Sequence, residues 1–110
     1  MAACFELKRS NDGQFGFVLK AGNGEPILSS EMYTSKASAE NGIASVRTNS
    51  PIEMRYERKT ASNGQLFFNL KGANLEVLGS SQMYASTSGR DDGIASVQKN
   101  GATQTVIDLT

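Results

Sequence analysis

The fold is decided by the stretch Gly13-Gln-Phe-Gly-Phe-Val-Leu-Lys20, which returns 51 residues later as Gly64-Gln-Leu-Phe-Phe-Asn-Leu-Lys71. Apolar residues alternate with other residues in both copies, a pattern typical of a β-strand with one buried face. Asp12-Gly13 and Asn63-Gly64 stand where tight hairpin turns need residues that tolerate a positive φ. Each copy is therefore predicted to open with a β-hairpin whose core-facing residues are Phe15, Phe17 and Leu19, or Leu66, Phe68 and Leu70.

The repeat extends outward from this stretch. Phe5 to Asn49 aligns without a gap to Tyr56 to Asn100. A long period that occurs only twice indicates one supersecondary unit that has been duplicated and fused, not a solenoid. We expect a single domain, 1–110, that consists of repeat one at about 5–50, repeat two at about 56–101 and a C-terminal strand at about 105–109.

A helix is predicted to close each repeat. A third strand at 26–29 or 76–79 is followed by a change of period, and Ala39, Ile43 and Val46 share one helical face, as Ile94 and Val97 do in repeat two. Ser35 and Ser86 are the expected N-caps. Ser50-Pro51 is expected to end the first helix, and Asn100-Gly101 the second.

Each unit thus reads β-β-β-α, which is too little chain to bury both a sheet face and a helix. Two units that share a sheet can do so. The predicted fold class is α+β: tandem β-β-β-α repeats form one antiparallel sheet with two helices on one face. We also expect pseudo-twofold symmetry and exchange of the strand after each helix, including the C-terminal strand, between the repeats.

The amino-acid composition argues against several classes of function. The 11 basic and 11 acidic residues give a net charge of zero, which removes the broad attraction behind most non-specific nucleic-acid binding. There is no histidine and only one cysteine, Cys4, so Ser-His and Cys-His nucleophiles and His-based metal sites are excluded. We expect no enzymatic activity, no catalytic residue, no metal and no cofactor.

Location is expected from the same features. The single cysteine cannot form an intramolecular disulfide, and no leader-like or membrane-spanning apolar run is present. The expectation is a soluble, cytoplasmic monomer without a membrane partner.

The pattern resembles the YegP-like family of small, uncharacterised bacterial proteins, specifically its duplicated branch. The resemblance rests on Gly13 to Lys20, Ser29-Ser-Glu-Met-Tyr33, Gly42-Ile-Ala-Ser-Val-Arg47 and their second copies, and it covers nearly the whole chain. It implies a β3-α repeat, a single sheet and exchanged C-terminal strands. It implies no catalytic residue and no ligand, because the family has no established activity.

One candidate contact surface is the sheet face turned away from the helices. Strand alternation places four lysines and one aromatic ring there: Lys8, Lys20, Lys59, Lys71 and Phe67. The leading hypothesis is a non-enzymatic interaction or accessory module of unknown role, and the candidate partners are a protein or a single-stranded nucleic acid. A weak single-stranded nucleic-acid binder is an alternative, since rings stack bases and lysines neutralise phosphates. A plain solvated sheet face, on which Glu6 and Glu57 pair with the lysines, is the competing interpretation.

A second candidate is a pair of symmetry-related pockets at the strand-to-helix connections, for a small molecule, a peptide or an enzymatic reaction: Ser30, Tyr33, Ser81 and Tyr84. The competing interpretation is structural, with Met32 and Met83 filling the gap between sheet and helix, the tyrosine rings buried and the serines bonded to loop backbone. If the protein has one site and not two, we expect it where the copies differ, as Gly16 differs from Phe67, Lys36 from Thr87, and Asn23-Gly24 from Asn74-Leu75.

Overall fold

The computed structural model describes residues 2–110, which form one seven-stranded sheet and two helices. Repeat one contains β1 (Cys4–Arg9), β2 (Phe15–Lys20), β3 (Pro26–Ser30) and α1 (Lys36–Asn49). After a 3-10 turn at Glu53–Arg55, repeat two contains β4 (Tyr56–Thr60), β5 (Leu66–Lys71), β6 (Val77–Ser80) and α2 (Thr87–Asn100), and β7 (Val106–Asp108) ends the chain. The strand order is β4-β5-β6-β3-β2-β1-β7, which confirms the predicted α+β tandem repeat.

The hairpin turns form where the sequence predicts them. Gly13 and Gly64 have φ values of 84° and 85°, in the left-handed region that glycine adopts without strain. The turn between the second and third strands of each repeat needs the same conformation. Gly24 supplies it in repeat one with φ 85°, but Leu75 must adopt φ 68° in repeat two.

Both helices pack on the same face of the sheet and share a single hydrophobic core with it. The predicted helix-face residues are buried: Ala39, Ile43, Val46, Ile94 and Val97. The Ser35 hydroxyl accepts a hydrogen bond from the Ser38 N–H at 3.1 Å, and the Ser86 hydroxyl accepts one from the Gly89 N–H at 3.0 Å. The two predicted N-caps are therefore present.

The predicted antiparallel sheet needs one correction, because β7 runs parallel to β1. The chain leaves α2 and reaches the sheet at the beginning of β1, where the Thr105 carbonyl accepts from the Phe5 N–H at 3.0 Å. From that point it can only continue beside β1 in the same direction. The predicted exchange is present: β4, which follows α1, pairs with β5, and β7, which follows α2, pairs with β1.

The two repeats meet around a pseudo-twofold axis. Ser29 and Ser80 are equivalent positions, and they pair directly across β3 and β6. Leu28 and Gly79 are also equivalent, and a Cβ built on Gly79 would lie 2.9 Å from the Leu28 Cγ. Near the axis, one copy's side chain occupies the space that its counterpart would need.

The end of α2 also differs from expectation. Gly101 follows the helix as predicted, but its φ of −67° is right-handed, so no positive φ requires glycine there. A Cβ on Gly101 would instead collide with the side chain of Ser50, its equivalent in repeat one. Glycine is needed at this position for close approach between the two repeats.

Candidate functional site

The open face of the sheet carries two matching trios of charged side chains. Glu6 lies 3.0 Å from the Lys20 Nζ and 3.6 Å from the Lys8 Nζ. The hydrogen bond from Lys20 is the main cause that holds the Glu6 pKa below its usual range. The second trio repeats this arrangement, with Glu57 at 3.2 Å from Lys71 and 3.7 Å from Lys59, and the pKa of Glu57 is lowered, chiefly by Lys71.

The four predicted lysines thus lie on one face, in two pairs that each share a glutamate. Each trio keeps one positive charge more than it has negative charges, and the pairs are exposed enough for solvent and salt to screen them. This arrangement offers few free cations to a phosphate chain.

The two halves of the open face differ most at Gly16 and Phe67, which are equivalent positions. Gly16 pairs with Lys8 across β1 and β2, and Phe67 pairs with Lys59 across β4 and β5. The strand phase predicted from alternation therefore places Phe67 on the open face, where its ring is partly buried. At the equivalent position in repeat one, Gly16 is buried under the side chain of Met32.

A groove of about 320 Å³ lies beside Gly16 on the open face of the sheet, and it is called the Gly16 groove below. Gly16 and Val18 form its floor, and its walls come from β1, β3 and the segment after β3. The residues that line it are Lys8, Arg9, Ser10, Gly16, Phe17, Val18, Ser29, Ser30 and Met32.

Met32 forms one wall of this groove, which corrects the expectation that it fills a gap between sheet and helix. It is 50% exposed, and its sulfur lies 3.0 Å from a Cβ built on Gly16. The cause is the backbone pairing of Tyr33 with Phe15, which turns Tyr33 to the helix side and leaves Met32 on the other. Met83, its equivalent in repeat two, is likewise about half exposed.

The rim of the Gly16 groove is basic. Lys8 supplies its charge, because Arg9 pairs with Phe15 and its guanidinium lies 5.9 Å from the centre of that core-packed ring, on the helix side of the sheet. Sequence reasoning selected Lys8 and Ser30, and it considered Ser29 and Met32 as parts of the segment Ser29-Ser-Glu-Met-Tyr33, but it did not bring these residues together on one face. The difference between Gly16 and Phe67 was the signal that pointed to this place.

The candidate serines have structural partners. The Ser30 hydroxyl accepts from the Phe17 N–H at 2.9 Å and donates to the Glu31 carbonyl at 2.7 Å. Ser81 makes the same pair of bonds, with Phe68 at 3.0 Å and Gln82 at 2.8 Å. Both hydroxyl protons are held by carbonyl oxygens, so neither serine is arranged as an activated nucleophile.

The candidate tyrosines pack between sheet and helix. Tyr33 stacks on Phe17 with ring centres 6.3 Å apart, and Tyr84 stacks on Phe68 at 6.4 Å. Their rings lie against the helix glycines Gly42 and Gly93, where a Cβ would collide with them. Burial, followed by the charges of Glu76 and Glu31, raises the pKa of Tyr33, which makes it a poorer base at neutral pH.

The structure places the two tyrosines in separate clefts, each between one repeat's helix and the other repeat's third strand. The Tyr33 cleft measures about 500 Å³ and includes Glu31 and Glu76, whereas the Tyr84 cleft measures about 200 Å³ and includes Glu25 and Asp92. Ser30 lines the Gly16 groove on the other face of the sheet. Each repeat therefore has its own tyrosine cleft, but Ser30 does not line the cleft of Tyr33.

Two further searches cover the described residues 2–110. Within them, no group of three or more Cys, Asp or Glu side chains is placed to hold a metal ion. Neither helix in this range has the length and apolar character needed to cross a bilayer.

Comparison with known proteins gives a consistent result over the whole chain. A family model described as "Domain of unknown function (DUF1508)" matches twice, at residues 10–57 and 61–108. Each match begins before the repeat's second strand and extends to the strand after its helix, so the matched unit includes the exchanged strand.

Curated relatives cover the same length. The chain is 68% identical to the UPF0339 protein YegP of Shigella flexneri and 67% identical to that of Escherichia coli K12, over 100% of each chain. A UPF0339 protein of Shewanella oneidensis is 58% identical over 100% of both.

Two solved structures have the same fold. The solution NMR structure of yegP from E. coli, described as a protein of unknown function, matches with a TM-score of 0.94 at 67% identity, over 100% of this chain and 95% of that one. The solution NMR structure of the Shewanella oneidensis UPF0339 protein matches at 0.93 and 58% identity, over 100% and 93%.

Proposed function

This chain belongs to the DUF1508 family, whose solved members have a known fold and no established function, and we propose that it is a non-catalytic binding module. Its binding site is the Gly16 groove on the open sheet face. The observation that carries the proposal is the asymmetry between the repeats, since repeat one has a groove lined by Gly16 and Met32 and a phenyl ring stands at the equivalent Phe67.

The lining predicts the chemistry of the ligand. Val18 and Met32 offer apolar surface, while Lys8, which is half exposed and 3.6 Å from Glu6, supplies positive charge at the rim. The hydroxyl of Ser29, an exposed residue, adds a hydrogen-bonding group. We therefore infer a small organic anion, a carboxylate or phosphate on an apolar body. The volume of about 320 Å³ lies at the lower end of the range for small-molecule sites.

The proposed module is non-catalytic because of the side chains that line the groove. Ser30 is bonded to backbone on both sides, the other polar side chains of the groove are lysine and serine, and the nearby Glu6 carboxylate is held by Lys20. These groups can bind and orient an anion, but they do not form a nucleophile–base pair.

The test is an NMR screen of small aryl and alkyl carboxylates and phosphates against the ¹⁵N-labelled chain. We expect saturable shifts of the Lys8, Gly16 and Ser29 amides. Gly16→Phe should abolish them, because it places in repeat one the side chain that repeat two already has. The variant should fold, since the nearest obstacle to a new side chain is the flexible end of Met32.

Phe67→Gly is the matched control. It should keep binding at Gly16 and open a second, weaker site between Lys59 and Met83. Binding that survives Gly16→Phe, or shifts that lie elsewhere on the chain, would show that the Gly16 groove is not the site.

Single-stranded nucleic acid is a weaker second candidate, because the open-face lysines are paired with Glu6 and Glu57. Titration of a labelled oligonucleotide at low and at high salt separates the two. A nucleic-acid surface predicts binding that falls steeply with salt and shifts at both Lys20 and Lys71. A small-anion site predicts shifts confined to the Gly16 groove.

The Tyr33 cleft is a second small-molecule candidate, and its volume of about 500 Å³ favours it. Its charged lining residues, Glu31 and Glu76, select a cationic ligand, the opposite charge from the Gly16 groove. Amines included in the same NMR screen would shift Tyr33 and Asn41 if this cleft binds them.

A further inference from the structure

The equivalent strands β1 and β4 differ in their outer neighbours. β1 is covered on its outer side by β7, whereas β4, its counterpart, ends the sheet. Within residues 2–110, β4 has a neighbouring strand on one side only. An edge strand presents backbone N–H and C=O groups that another extended chain can pair with.

The pairing of β7 with β1 shows what such a chain would look like. The Thr105 carbonyl accepts from Phe5, and the Leu109 N–H donates to the Leu7 carbonyl at 2.8 Å. Ile107 lies opposite Glu6 on the open face, and Asp108 lies opposite Leu7 on the helix side. The covering strand is thus parallel, with an apolar residue followed by an acidic one.

At β4, one of the equivalent backbone groups already has a hydrogen-bond partner and others face outward. The Tyr56 N–H, equivalent to that of Phe5, donates to the Glu53 carbonyl in the 3-10 turn. Arg58 is equivalent to Leu7, so its backbone groups face outward as those of Leu7 do. A docking strand would therefore pair with β4 from Arg58 onward.

An apolar cleft stands beside this edge on the side of Glu57. Its volume is about 240 Å³, and Met54 and Leu75 lie on its walls, 79% and 74% exposed. The full lining is Met54, Arg55, Tyr56, Glu57, Lys71, Gly72 and Leu75, called the edge cleft below. The residues equivalent to Met54 and Leu75 in repeat one are Ala3 and Gly24, which offer no comparable side chains.

Folding alone gives no reason for the side chain of Leu75. It occupies a left-handed turn position, where any side chain is strained and where repeat one has glycine. The exposed side chain also buries little apolar surface in the chain by itself. Such a residue is explained if a partner covers it.

We propose that the edge of β4 binds an extended segment of a partner protein, parallel to β4, whose apolar residue enters the edge cleft. The apolar residue would stand opposite Glu57, as Ile107 stands opposite Glu6. Arg58, on the helix side, is already paired with Glu53 at 3.0 Å and with Asp91 at 3.1 Å, so the next residue of the partner has no free charge to meet there. This is strand addition to a sheet edge, in which backbone bonds give affinity and alternate side chains give selectivity.

The probe is an acetylated peptide that copies residues 103–110, added to the ¹⁵N-labelled full chain. We expect saturable shifts at Met54, Arg58 and Leu75. Ile107→Ser in the peptide should weaken binding about tenfold, the effect of losing one buried apolar side chain. Leu75→Gly in the protein should weaken it by a similar factor and cannot act by unfolding, because it relieves strain. Asp108→Asn in the peptide should leave binding unchanged, because Arg58 is already paired with Glu53 and Asp91.

Met83→Ala is the control, since Met83 is exposed but lies outside the edge cleft. It should leave peptide affinity unchanged, as should Gly16→Phe, so failure of the Gly16 groove would not affect this result. Shifts at Phe5 and Leu7 would mean that the peptide replaces β7, and this would overturn the proposal. Dimerisation of the chain without peptide, unchanged affinity in Leu75→Gly, or absence of binding would also overturn it.

Discussion

Ser50 and Gly101 occupy equivalent positions at the ends of the two helices, and they touch each other across the pseudo-twofold axis. Ser50 is fully buried, and a Cβ on Gly101 would collide with its side chain. Only one of the two positions can therefore carry a side chain. The Ser50 hydroxyl also has no hydrogen-bond partner among the described residues, so its role is to occupy space.

This contact predicts non-additive stabilities. Gly101→Ala should lower the free energy of unfolding by about 1–3 kcal/mol, as overpacking of a dense core does. Combined with Ser50→Gly, the loss should be smaller than the sum of the two single losses by about 1 kcal/mol, the remainder reflecting the nearby Val97 carbonyl. Urea unfolding measures this cycle. Additive losses would show that the two residues do not share the space.

The turn at Leu75 predicts a stabilising substitution. Leu75→Gly should raise the free energy of unfolding by about 0.5–1 kcal/mol, because it removes the strain of a left-handed leucine at φ 68° and exposes no core. Gly24→Ala is the matched control, and it should destabilise by a similar amount because it introduces the same strain. Thermal unfolding of both variants gives the comparison, and a destabilised Leu75→Gly would mean that its side chain supports the fold.

The shared core predicts a large loss at Ile43. This side chain is buried on the sheet-facing side of α1, so Ile43→Ala should cost about 2–5 kcal/mol through lost burial and the cavity left behind. Ile94→Ala should cost a similar amount, since Ile94 has the equivalent position on α2. Chemical denaturation checks both. A loss below about 1 kcal/mol at either position would mean that the site collapses without leaving a cavity.

The attachment of β7 predicts a pH dependence. The Lys36 ammonium, 2.6 Å from Asp108, holds the pKa of that carboxyl well below its usual range, with the Thr110 hydroxyl and N–H as further causes. A carboxyl whose pKa is lower in the folded chain stabilises above its unfolded pKa of about 3.9, and this contribution is lost as the pH falls through the folded pKa. The Lys36 pKa is raised, so its contribution is complete below its unfolded value of about 10.4 and is lost as the pH rises through the folded pKa.

The Lys36–Asp108 contact should therefore stabilise β7 most between about pH 4 and pH 10. The carboxyl carbon shift of Asp108 and the amide shift of Leu109 report this directly. Asp108→Asn should remove the acid-side transition from the Leu109 signal. A carboxyl that titrates near 3.9 in the folded chain would show that the contact does not persist in solution.

Local pattern was sufficient for the repeat and its elements. Alternation predicted the buried faces of β2 and β5, and Ser35 and Ser86 were identifiable as N-caps, because these features depend on a few neighbouring residues. The direction of β7 was not predictable in this way. It depends on where Thr105 reaches β1, a contact between residues about a hundred positions apart.

The candidate site was only partly predictable for a similar reason. Strand phase placed Lys8, Lys20, Lys59, Lys71 and Phe67 on one face, and the difference between Gly16 and Phe67 indicated where to look. Phase within a strand could not be extended past Ser30, so Met32 was assigned to the wrong side. The position of Met32 depends on the backbone bridge between Phe15 in β2 and Tyr33, which lies beyond the end of β3.

The contact of Leu28 with Gly79 has a consequence for how such a protein can be encoded. In an assembly of two identical single-repeat chains, both positions would come from one codon, so leucine would face leucine or glycine would face glycine. A chain that carries both repeats can specify the two positions separately, and here leucine fills the space beside glycine. Tandem fusion therefore allows a leucine–glycine contact that two copies of one repeat could not form. As a result, neither repeat can replace the other without disturbing this contact.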